Sequence, residues 1–323
     1  MACGYILMVC HPPFAAVVAA FFFIGFGLAI NLSLGNVFAS NLRNGTAMLG
    51  AMHGAYGIGG TVGPLIATGI VTNGLSWSRY YLLPLGMTAF NIFFSAWSFW
   101  NYEKESSHTN MDGTERIAST SKNNKFIAHV KAMTKTLHSK VVLLGALFIF
   151  AYQGAEVSIS GWVVSFLIVN RNGNPSAVGY VTSGFWGGIT LGRFLLSHLG
   201  YKIGEKRFVY GMTIGAIIFE LLVWFVPNIV EEAVALVIVG LLLGPVYPCA
   251  THVFSKLISR GDQVSSLGII SAFGSSGGAV APFTTGILAQ AVGTFVMHPI
   301  AVGLFAVMIA CWFGLPALRK RTD

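Results

Sequence analysis

Charged residues are scarce in this chain of 323 residues, since Asp, Glu, Lys and Arg together make up only 9% of it. Hydrophobic residues make up 54%, and the mean hydropathy is +0.72. A soluble globular domain carries about 25% charged residues. The composition therefore excludes an ordinary soluble domain and predicts an integral membrane protein built of α-helices.

The residue clusters on which most enzymes and metal sites depend are also missing. The four cysteines form no CxxC pair, so we expect free thiols and no metal site. The sequence contains no P-loop, no dinucleotide fingerprint and no nucleophile motif. We therefore expect no enzyme activity and no cofactor.

Long apolar blocks set the predicted helix count. A block of about 20 residues or more can cross a hydrocarbon core about 30 Å thick. Nine complete spans are predicted, at 13–41, 48–72, 80–101, 141–169, 177–198, 208–226, 231–256, 266–291 and 298–317. The opening MACGYILMVC is too short to cross and is predicted to be the end of a partial helix.

Basic residues give the chain a net charge of +8, and their placement explains this charge without nucleic acid. If the helices alternate in direction, 16 of the 19 Lys and Arg residues fall on one side of the membrane. Cytoplasmic loops are enriched in Lys and Arg. We therefore predict that the polar linker 102–140 and the C-terminal LRKRTD are cytoplasmic.

The hexad GGTVGP at 59–64 returns as GGAVAP at 277–282, which is 218 residues later. A shift of 218 places two late spans onto two early ones, and places 208–226 onto the opening stub. This repeat predicts two like bundles of six helices, the first of which lacks about its first 80 positions. The predicted domains are an incomplete bundle at 1–101, equivalent to helices 3 to 6, the linker 102–140, and a complete bundle at 141–323, equivalent to helices 7 to 12.

Glycines in and around the two hexads form bare stripes on which another helix can approach closely, and the prolines allow bending. Static packing inside a bundle and a moving surface between bundles both fit this pattern. The sequence leaves these two interpretations open. The candidate interface residues are Gly59, Gly60, Gly63, Pro64, Gly277, Gly278 and Pro282.

Ionisable residues within spans cost about 2.5 to 3.5 kcal/mol on insertion scales and are candidates for function. Glu156 is the strongest candidate, because Tyr152 lies four residues and Gln153 three residues before it, which places all three on one helical face. Such a carboxyl can carry a proton. The alternative is a structural carboxyl bonded to a neighbouring helix.

Four further residues are candidates for contact with a solute. Asn31 and Asn36 point about 140° apart on the first complete span, so we expect one of them to face the cavity. For His53 two roles are open: a side chain that titrates in the physiological range, or a structural histidine. Trp186 is placed to stack on a sugar-like ring or to pack against lipid, while Arg193 is expected to snorkel or pair across the bundle.

Several segments carry a family resemblance: FFFIGFGLAINLSLGNVFASNL, HGAYGIGGTVGPLIATGI, YQGAEVSISGWVVSFLI, FWGGITLGRFL and SAFGSSGGAVAPFTTGIL. Together they resemble fungal proteins of the major facilitator superfamily, in the group related to fucose and proton symporters and to the bypass-of-stop-codon type. The resemblance implies the major facilitator fold, with twelve helices around a central cavity. It also implies a role for Glu156, since an acidic residue followed by a Trp, here Trp162, marks this helix in related symporters.

One segment departs from the family pattern. The loop LGYKIGEKR at 199–207 keeps Lys202, Gly204, Lys206 and Arg207 but has Tyr201 where an acidic residue is usual in the family.

Two functions from different classes follow from the resemblance and the missing helices. The first is a secondary transporter that moves a small polar organic solute, such as a sugar-like metabolite, by proton-coupled alternating access in the plasma or vacuolar membrane. The second is a transport-incompetent remnant or membrane sensor, because an incomplete bundle leaves polar helix faces without partners. The expected partners are the solute, the proton and the lipid bilayer, and no nucleic acid.

Overall fold

Every regular element in the described part of the chain is helical. The computed structural model describes residues 1–40, 45–100, 139–259 and 262–316, so nearly all of the predicted linker and the C-terminal LRKRTD lie outside it. The α-helices are α1 (Ala2–Val9), α2 (Phe14–Ser40), α3 (Gly45–Thr72), α4 (Leu82–Ser98), α5 (Lys140–Arg171), α6 (Pro175–Val178), α7 (Val181–Leu195), α8 (Ser197–Ile203), α9 (Glu205–Phe225), α10 (Ile229–Leu243), α11 (Val246–Leu257), α12 (Gln263–Val292) and α13 (Met297–Gly314). Short 3₁₀ turns at Trp77–Tyr81 and Thr294–Val296 precede α4 and α13.

Seven segments of the described chain are long and apolar enough to cross a membrane. They are Phe14–Leu32, Gly54–Thr72, Lys140–Arg171, Glu205–Phe225, Ile229–Leu257, Ser265–Val292 and Thr294–Gly314. The other two predicted spans contain helices of 17 residues (α4) and 15 residues (α7). The all-helical membrane class is thereby confirmed, while the predicted count of nine complete spans stays a prediction.

The chain divides into two compact units. The first comprises Met1–His53 and Ile66–Ile127, and the second comprises Gly54–Leu65 and Ala128–Asp323. Helix α3 is therefore shared, because its middle segment Gly54–Leu65 groups with the second unit.

In the first unit, α1 packs against α2, α4 and the 3₁₀ turn before α4. Gly4 permits this packing, because a Cβ there would lie 2.6 Å from the carbonyl oxygen of Ala20. Most apolar side chains of α2 point outward, for example Phe14 at 81% and Phe22 at 68% exposure. Such a surface suits contact with lipid, whose tails are as apolar as the side chains.

In the second unit, α5 is the central helix and packs against α7, α11, α12 and α13. It is apolar on nearly all sides, which is typical of a helix surrounded by protein or lipid. Near its beginning, Phe148 meets Trp312 at a ring-centroid distance of 4.9 Å and Phe254 at 6.1 Å. The helix ends at Arg171, where Asn172 adopts a left-handed conformation and the Gly173 amide bonds to the Leu167 carbonyl, a common helix-terminating arrangement.

Helices α7 and α10 make a close backbone contact in the second unit. A Cβ on Gly188 would collide with the Val237 carbonyl oxygen, and one on Gly240 would collide with the Phe185 carbonyl oxygen. Gly192 and Gly244 make the same kind of contact one turn further along. The glycine stripe of α7 therefore packs against the backbone of α10 within the second unit.

The loop LGYKIGEKR, which contains α8, lies at the opposite end of the second unit from Arg171. Its Gly204 has a φ of 98°, a conformation that favours glycine, and it begins α9. Lys206 follows and donates to the Leu315 carbonyl at 2.6 Å, while the Trp312 indole donates to the Lys206 carbonyl at 2.9 Å. The loop thereby fixes the end of α13.

The two hexads contact different kinds of partner. In the second copy, a Cβ on Gly277 would collide with the backbone carbonyl of Phe150 on α5, whereas one on Gly278 would lie 3.4 Å from the Val157 side chain. In the first copy, a Cβ on Gly60 would lie 3.0 Å from the Trp186 ring of α7, and a Cβ on Gly59 would meet nothing within 4 Å. Gly60 and its equivalent Gly278 therefore both meet side chains, and the copies differ at Gly59, which is open, and Gly277, which meets backbone.

A neighbouring helix contacts the second hexad at its proline. Pro282 lies inside α12, where it removes one backbone donor. The Trp162 indole of α5 donates to the Pro282 carbonyl at 3.0 Å, and Gly286 leaves room for the Trp162 ring, which lies 2.7 Å from the position of a Cβ. Pro64 lies inside α3 in the same way.

Gly277 and Gly278 offer a matched pair for testing the static contact. We expect Gly277→Ala to destabilise the protein by about 1 to 3 kcal/mol, because the Phe150 backbone cannot move aside without shifting α5. Gly278→Ala should be neutral or stabilising by up to about 1 kcal/mol, since the methyl group fits and alanine favours helix. Thermal unfolding in detergent compares the two, and equal losses of stability would contradict the assigned contact.

Candidate functional site

Glu156 lies in the middle of α5 with only 5% of its surface exposed. One turn earlier on the same face, the fully buried Tyr152 places its hydroxyl 3.4 Å from the Glu156 Oε1 and 3.2 Å from the Leu243 carbonyl oxygen. A hydroxyl has one proton and donates to one of these acceptors at a time. The polar stripe predicted from the sequence is therefore a short chain of hydrogen-bonding groups.

The Leu243 carbonyl is available because α10 ends there. Pro245 follows two residues later and has no backbone N–H, so the chain breaks between α10 and α11. The last carbonyls of a helix have no helical donors of their own. The Tyr152 hydroxyl is close enough to supply one of the missing donors.

Arg193 is the cation of the site. It comes from the last turn of α7, and its Nη2 lies 3.5 Å from the Glu156 Oε1. The Arg193 side chain is 22% exposed, whereas that of Glu156 is 6% exposed. The pair thus joins a buried carboxylate to a guanidinium with access to the surroundings. Of the two sequence-based alternatives for Arg193, the geometry matches pairing across the bundle.

Aromatic rings surround this ion pair. The Tyr247 ring of α11 lies 5.8 Å from that of Tyr152, and the Trp186 ring of α7 meets Tyr56 of α3 edge to face at 6.1 Å. Tyr56 and Tyr247 both interact electrostatically with Glu156 and Arg193. Since Tyr56 is 58% exposed, the cluster has an open side.

The segment Gly54–Leu65 of α3 approaches α7 through glycines that face side chains. A Cβ on Gly54 would lie 3.2 Å from Phe194, and one on Gly57 would lie 2.7 Å from the Thr190 hydroxyl. Gly60 faces Trp186 in the same row. This α3–α7 contact differs from the backbone contact between α7 and α10, because its close atoms belong to side chains that can change rotamer.

The other candidates from the sequence fall in different places. Gln153 faces α12, where a Cβ on Gly274 would lie 2.9 Å from its Oε1. Asn31 belongs to the first unit, and its amide donates to the Gly27 carbonyl at 3.1 Å and to the Met1 sulfur at 3.4 Å. The side chains of Asn36 and His53 lie outside the described part of the structure.

Three site residues were not among the candidates for solute contact, although pairing across the bundle was one of the two expectations for Arg193. Arg193 stands near a helix end, where a basic residue is ordinary. Tyr56 and Tyr247 stand in apolar stretches as single aromatic residues. A usable signal existed for Tyr247, since the GPVYP stretch marks a helix break within a span, and broken helices often line cavities in transporters.

Metal binding finds no support at this site. Among the described residues, no three His, Cys, Asp or Glu side chains come together in a group able to hold a metal ion. Cys3 and Cys10 are exposed and Cys249 and Cys311 are buried, and none of the four forms a disulfide in the structure.

A helical bundle with several segments able to cross a membrane and a buried carboxylate–arginine pair is compatible with a membrane transporter. The family model described as Major Facilitator Superfamily matches residues 1–173 and 157–323, which together cover the whole chain. The chain belongs to this superfamily. Members of this family are transporters, not enzymes.

Individual relatives are similar over part of their length. The chain is 27% identical to Bypass of stop codon protein 6 of Saccharomyces cerevisiae over 90% of its own residues and 60% of the yeast protein. It is 29% identical to a glucose/galactose transporter of Brucella abortus over 47% of its residues and 37% of that protein. It is also 28% identical to a putative glucose/galactose transporter of Helicobacter pylori, over 58% of its residues and 47% of that protein. The chain thus spans 60% or less of these relatives.

The ion pair can be tested by a double-mutant cycle. Arg193→Gln should lower stability because it leaves the Glu156 carboxylate buried without a cation. Adding Glu156→Gln should restore part of the loss, with a coupling of about 0.5 to 3 kcal/mol for residues in contact. Equilibrium unfolding in mixed micelles gives the four free energies, and strictly additive effects would show that the two groups do not interact.

Proposed function

We propose that the chain is a secondary transporter that couples a proton to the movement of a small polar solute with a sugar-like ring. The observation that supports this most is the nearly buried Glu156 carboxylate, held between the Tyr152 hydroxyl and the Arg193 guanidinium and bordered by aromatic rings. Membership of the Major Facilitator Superfamily and the glucose/galactose names of two relatives support the solute class.

Glu156 is the proposed proton carrier. A carboxylate at this depth needs either a cation or a proton to offset the loss of hydration. Arg193 supplies the cation in the described state. If Arg193 turns away, a proton on Glu156 keeps the site neutral. Exchange between these two arrangements links proton binding to the positions of α5 and α7.

The aromatic rings are the proposed contacts for the solute. A sugar ring presents apolar C–H faces and polar edges, so it suits a site in which rings lie beside hydrogen-bonding groups. Trp186 and Tyr56 supply faces on the open side, while Glu156 and Arg193 supply polar atoms nearby.

The contact between Gly54–Leu65 and α7 is the proposed sliding surface. Alternating access requires paired helices to move while each bundle keeps its packing. The glycine-to-side-chain contact between Gly60 and Trp186 allows such movement, whereas the backbone contact between Gly188 and Val237 does not. Sliding at α3–α7 therefore moves a ring that also borders the solute site.

Glu156→Gln tests the proton step. The variant should lose solute uptake driven by a proton gradient, because an amide cannot take up and release the proton. It should keep exchange of labelled for unlabelled solute, which needs no net proton transfer. Uptake into liposomes with and without a pH gradient measures both, and Asp262→Asn, an exposed acidic position, is the control. Gradient-driven uptake that survives in Glu156→Gln would remove Glu156 from the coupling.

Trp186→Phe tests the solute contact by fluorescence. Addition of glucose or galactose should change the tryptophan emission of the natural chain, and most of this change should disappear in Trp186→Phe. Trp186→Ala should weaken binding roughly tenfold, which is about 1.4 kcal/mol and within the range of one aromatic contact. Trp312→Phe, at a fully buried ring, is the control. A response that persists in Trp186→Phe would separate this ring from the site.

A further inference from the structure

A second group of ionisable side chains lies at one end of the second unit, away from Glu156. Here α5 and α9 end and α10 and α13 begin, and these helices contribute Arg171, Glu220, Glu232 and His298. Glu220, Glu232 and His298 are 0% exposed, and the Arg171 side chain is 17% exposed. All four stand within segments able to cross a membrane, where buried ionisable groups are costly and call for a role.

Two pairs make up this group. The Nδ1 of His298 lies 2.7 Å from the Oε1 of Glu220, and Arg171 forms an ion pair with Glu232. Arg171 also donates to the Trp224 carbonyl at 2.9 Å. Aromatic rings enclose His298, with Phe166 edge to face at 4.3 Å and Trp224 stacked at 6.1 Å. The histidine and its carboxyl partner are therefore shielded from solvent on several sides.

The net charge of the enclosed pair depends on its neighbours. The positive charge of Arg171 is matched by Glu232, which also interacts with His298 and with Glu231. Among the described charged residues around the pair, His298 alone is left to balance Glu220. An ionised Glu220 beside a neutral His298 would leave a net negative charge in the apolar interior, which is strongly unfavourable. One proton on the pair removes this charge.

The atoms of the pair can hold such a proton in two ways. It lies on Nδ1, giving an imidazolium beside a carboxylate, or on the carboxyl, giving an imidazole beside a carboxylic acid. Both forms are neutral overall and keep the 2.7 Å hydrogen bond. The Oε2 of Glu220 and the Nε2 of His298 have no hydrogen-bond partner among the described residues, so the bond between Oε1 and Nδ1 is the one that orients the shared proton.

We propose that Glu220 and His298 form a proton-binding site separate from Glu156, which takes one proton from water and holds it while the bundle is folded. The site does not depend on the proposed transport, because Phe166, which touches His298, lies ten residues beyond Glu156, about 15 Å along α5. Loss of the proton returns it to water and leaves the pair with one negative charge.

The direction of the pH effect follows from the number of bound protons. Free Glu and His titrate near 4.3 and 6.5, so above about pH 6.5 the unfolded chain holds no proton on these groups, while the folded pair holds one. Folding then takes up a proton, and the unfolding equilibrium constant rises about tenfold per pH unit. Between about pH 4.5 and 6.5 the folded and the unfolded chain each hold one proton on these groups, so the pair does not change the free energy of unfolding with pH in this range.

Glu220→Gln tests the site through this slope. Equilibrium unfolding of the full chain in mixed micelles is measured from pH 6.5 to 8.5. In the natural chain, the unfolding equilibrium constant should rise about tenfold more per pH unit than in Glu220→Gln, because the variant has no carboxyl to neutralise. Glu231→Gln, an acidic neighbour on α10, should keep the slope of the natural chain. Equal slopes in the natural chain and Glu220→Gln would overturn the proposal.

Two further variants keep the test decisive if Glu220→Gln folds poorly. His298→Gln leaves Glu220 as the only group of the pair able to hold the proton. The stability of this variant should therefore still fall with pH as in the natural chain. The double variant Glu220→Gln with His298→Gln replaces the pair with two amides that can bond to each other, and its slope should vanish. A double variant with the slope of the natural chain would also overturn the proposal.

Spectroscopy of the natural chain locates the proton directly. At pH 7.5, an infrared band of a protonated carboxyl that disappears in Glu220→Gln would place it on Glu220. A histidinium nitrogen signal in ¹⁵N NMR that disappears in His298→Gln would place it on His298. Absence of both signals would show that the pair is unprotonated, and the proposal would fail.

Discussion

Pairing of buried charge is the constraint on which the second unit depends. Glu156, Glu220 and Glu232 are at most 5% exposed, and each finds its partner on a different helix, at Arg193, His298 and Arg171. Apolar packing alone is weakly directional in a bilayer, because lipid tails are as apolar as leucine. The pairs add direction, since removal of one partner leaves a charge with no solvent to accept it. They thereby fix which helices lie against α5 and α9.

Helix α5 connects the two charged regions. Glu156 stands at its middle, and Phe166 and Arg171 stand toward its end, where they contact His298 and Glu232. The helix is continuous over its 32 residues, and a continuous α-helix transmits rotation and tilt along its length. A movement of α5 that separates Glu156 from Arg193 would also displace the end of the helix where Arg171 pairs with Glu232. A proton at either of the two proposed sites would therefore bias the same helix.

The helical membrane class and the family were readable from the sequence, whereas the partners of the buried charges were not. Span lengths, the resemblance and the repeat predicted the helical membrane class and the family correctly. Glu156 stood out because Tyr152 and Gln153 share its face. Glu220 did not, since its neighbours along α9 are apolar and its partner His298 is 78 residues away on another helix. A local polar pattern finds a residue that bonds within its own helix, but it cannot find one whose partner arrives through tertiary packing.

The repeated hexads show where sequence equivalence stops. Gly60 and Gly278 occupy the same place in the two copies and both meet side chains, whereas Gly277 meets the backbone of Phe150 and its equivalent Gly59 meets nothing within 4 Å. A repeat conserves the position of a small residue on a helix, and the partner is decided by the surrounding helices. A ring can turn about its side-chain bonds, whereas a backbone carbonyl moves only with its helix. The same six-residue pattern thus gives a contact able to change at α3 and a rigid one at α12, so movement is expected at the first copy while the second holds its unit together.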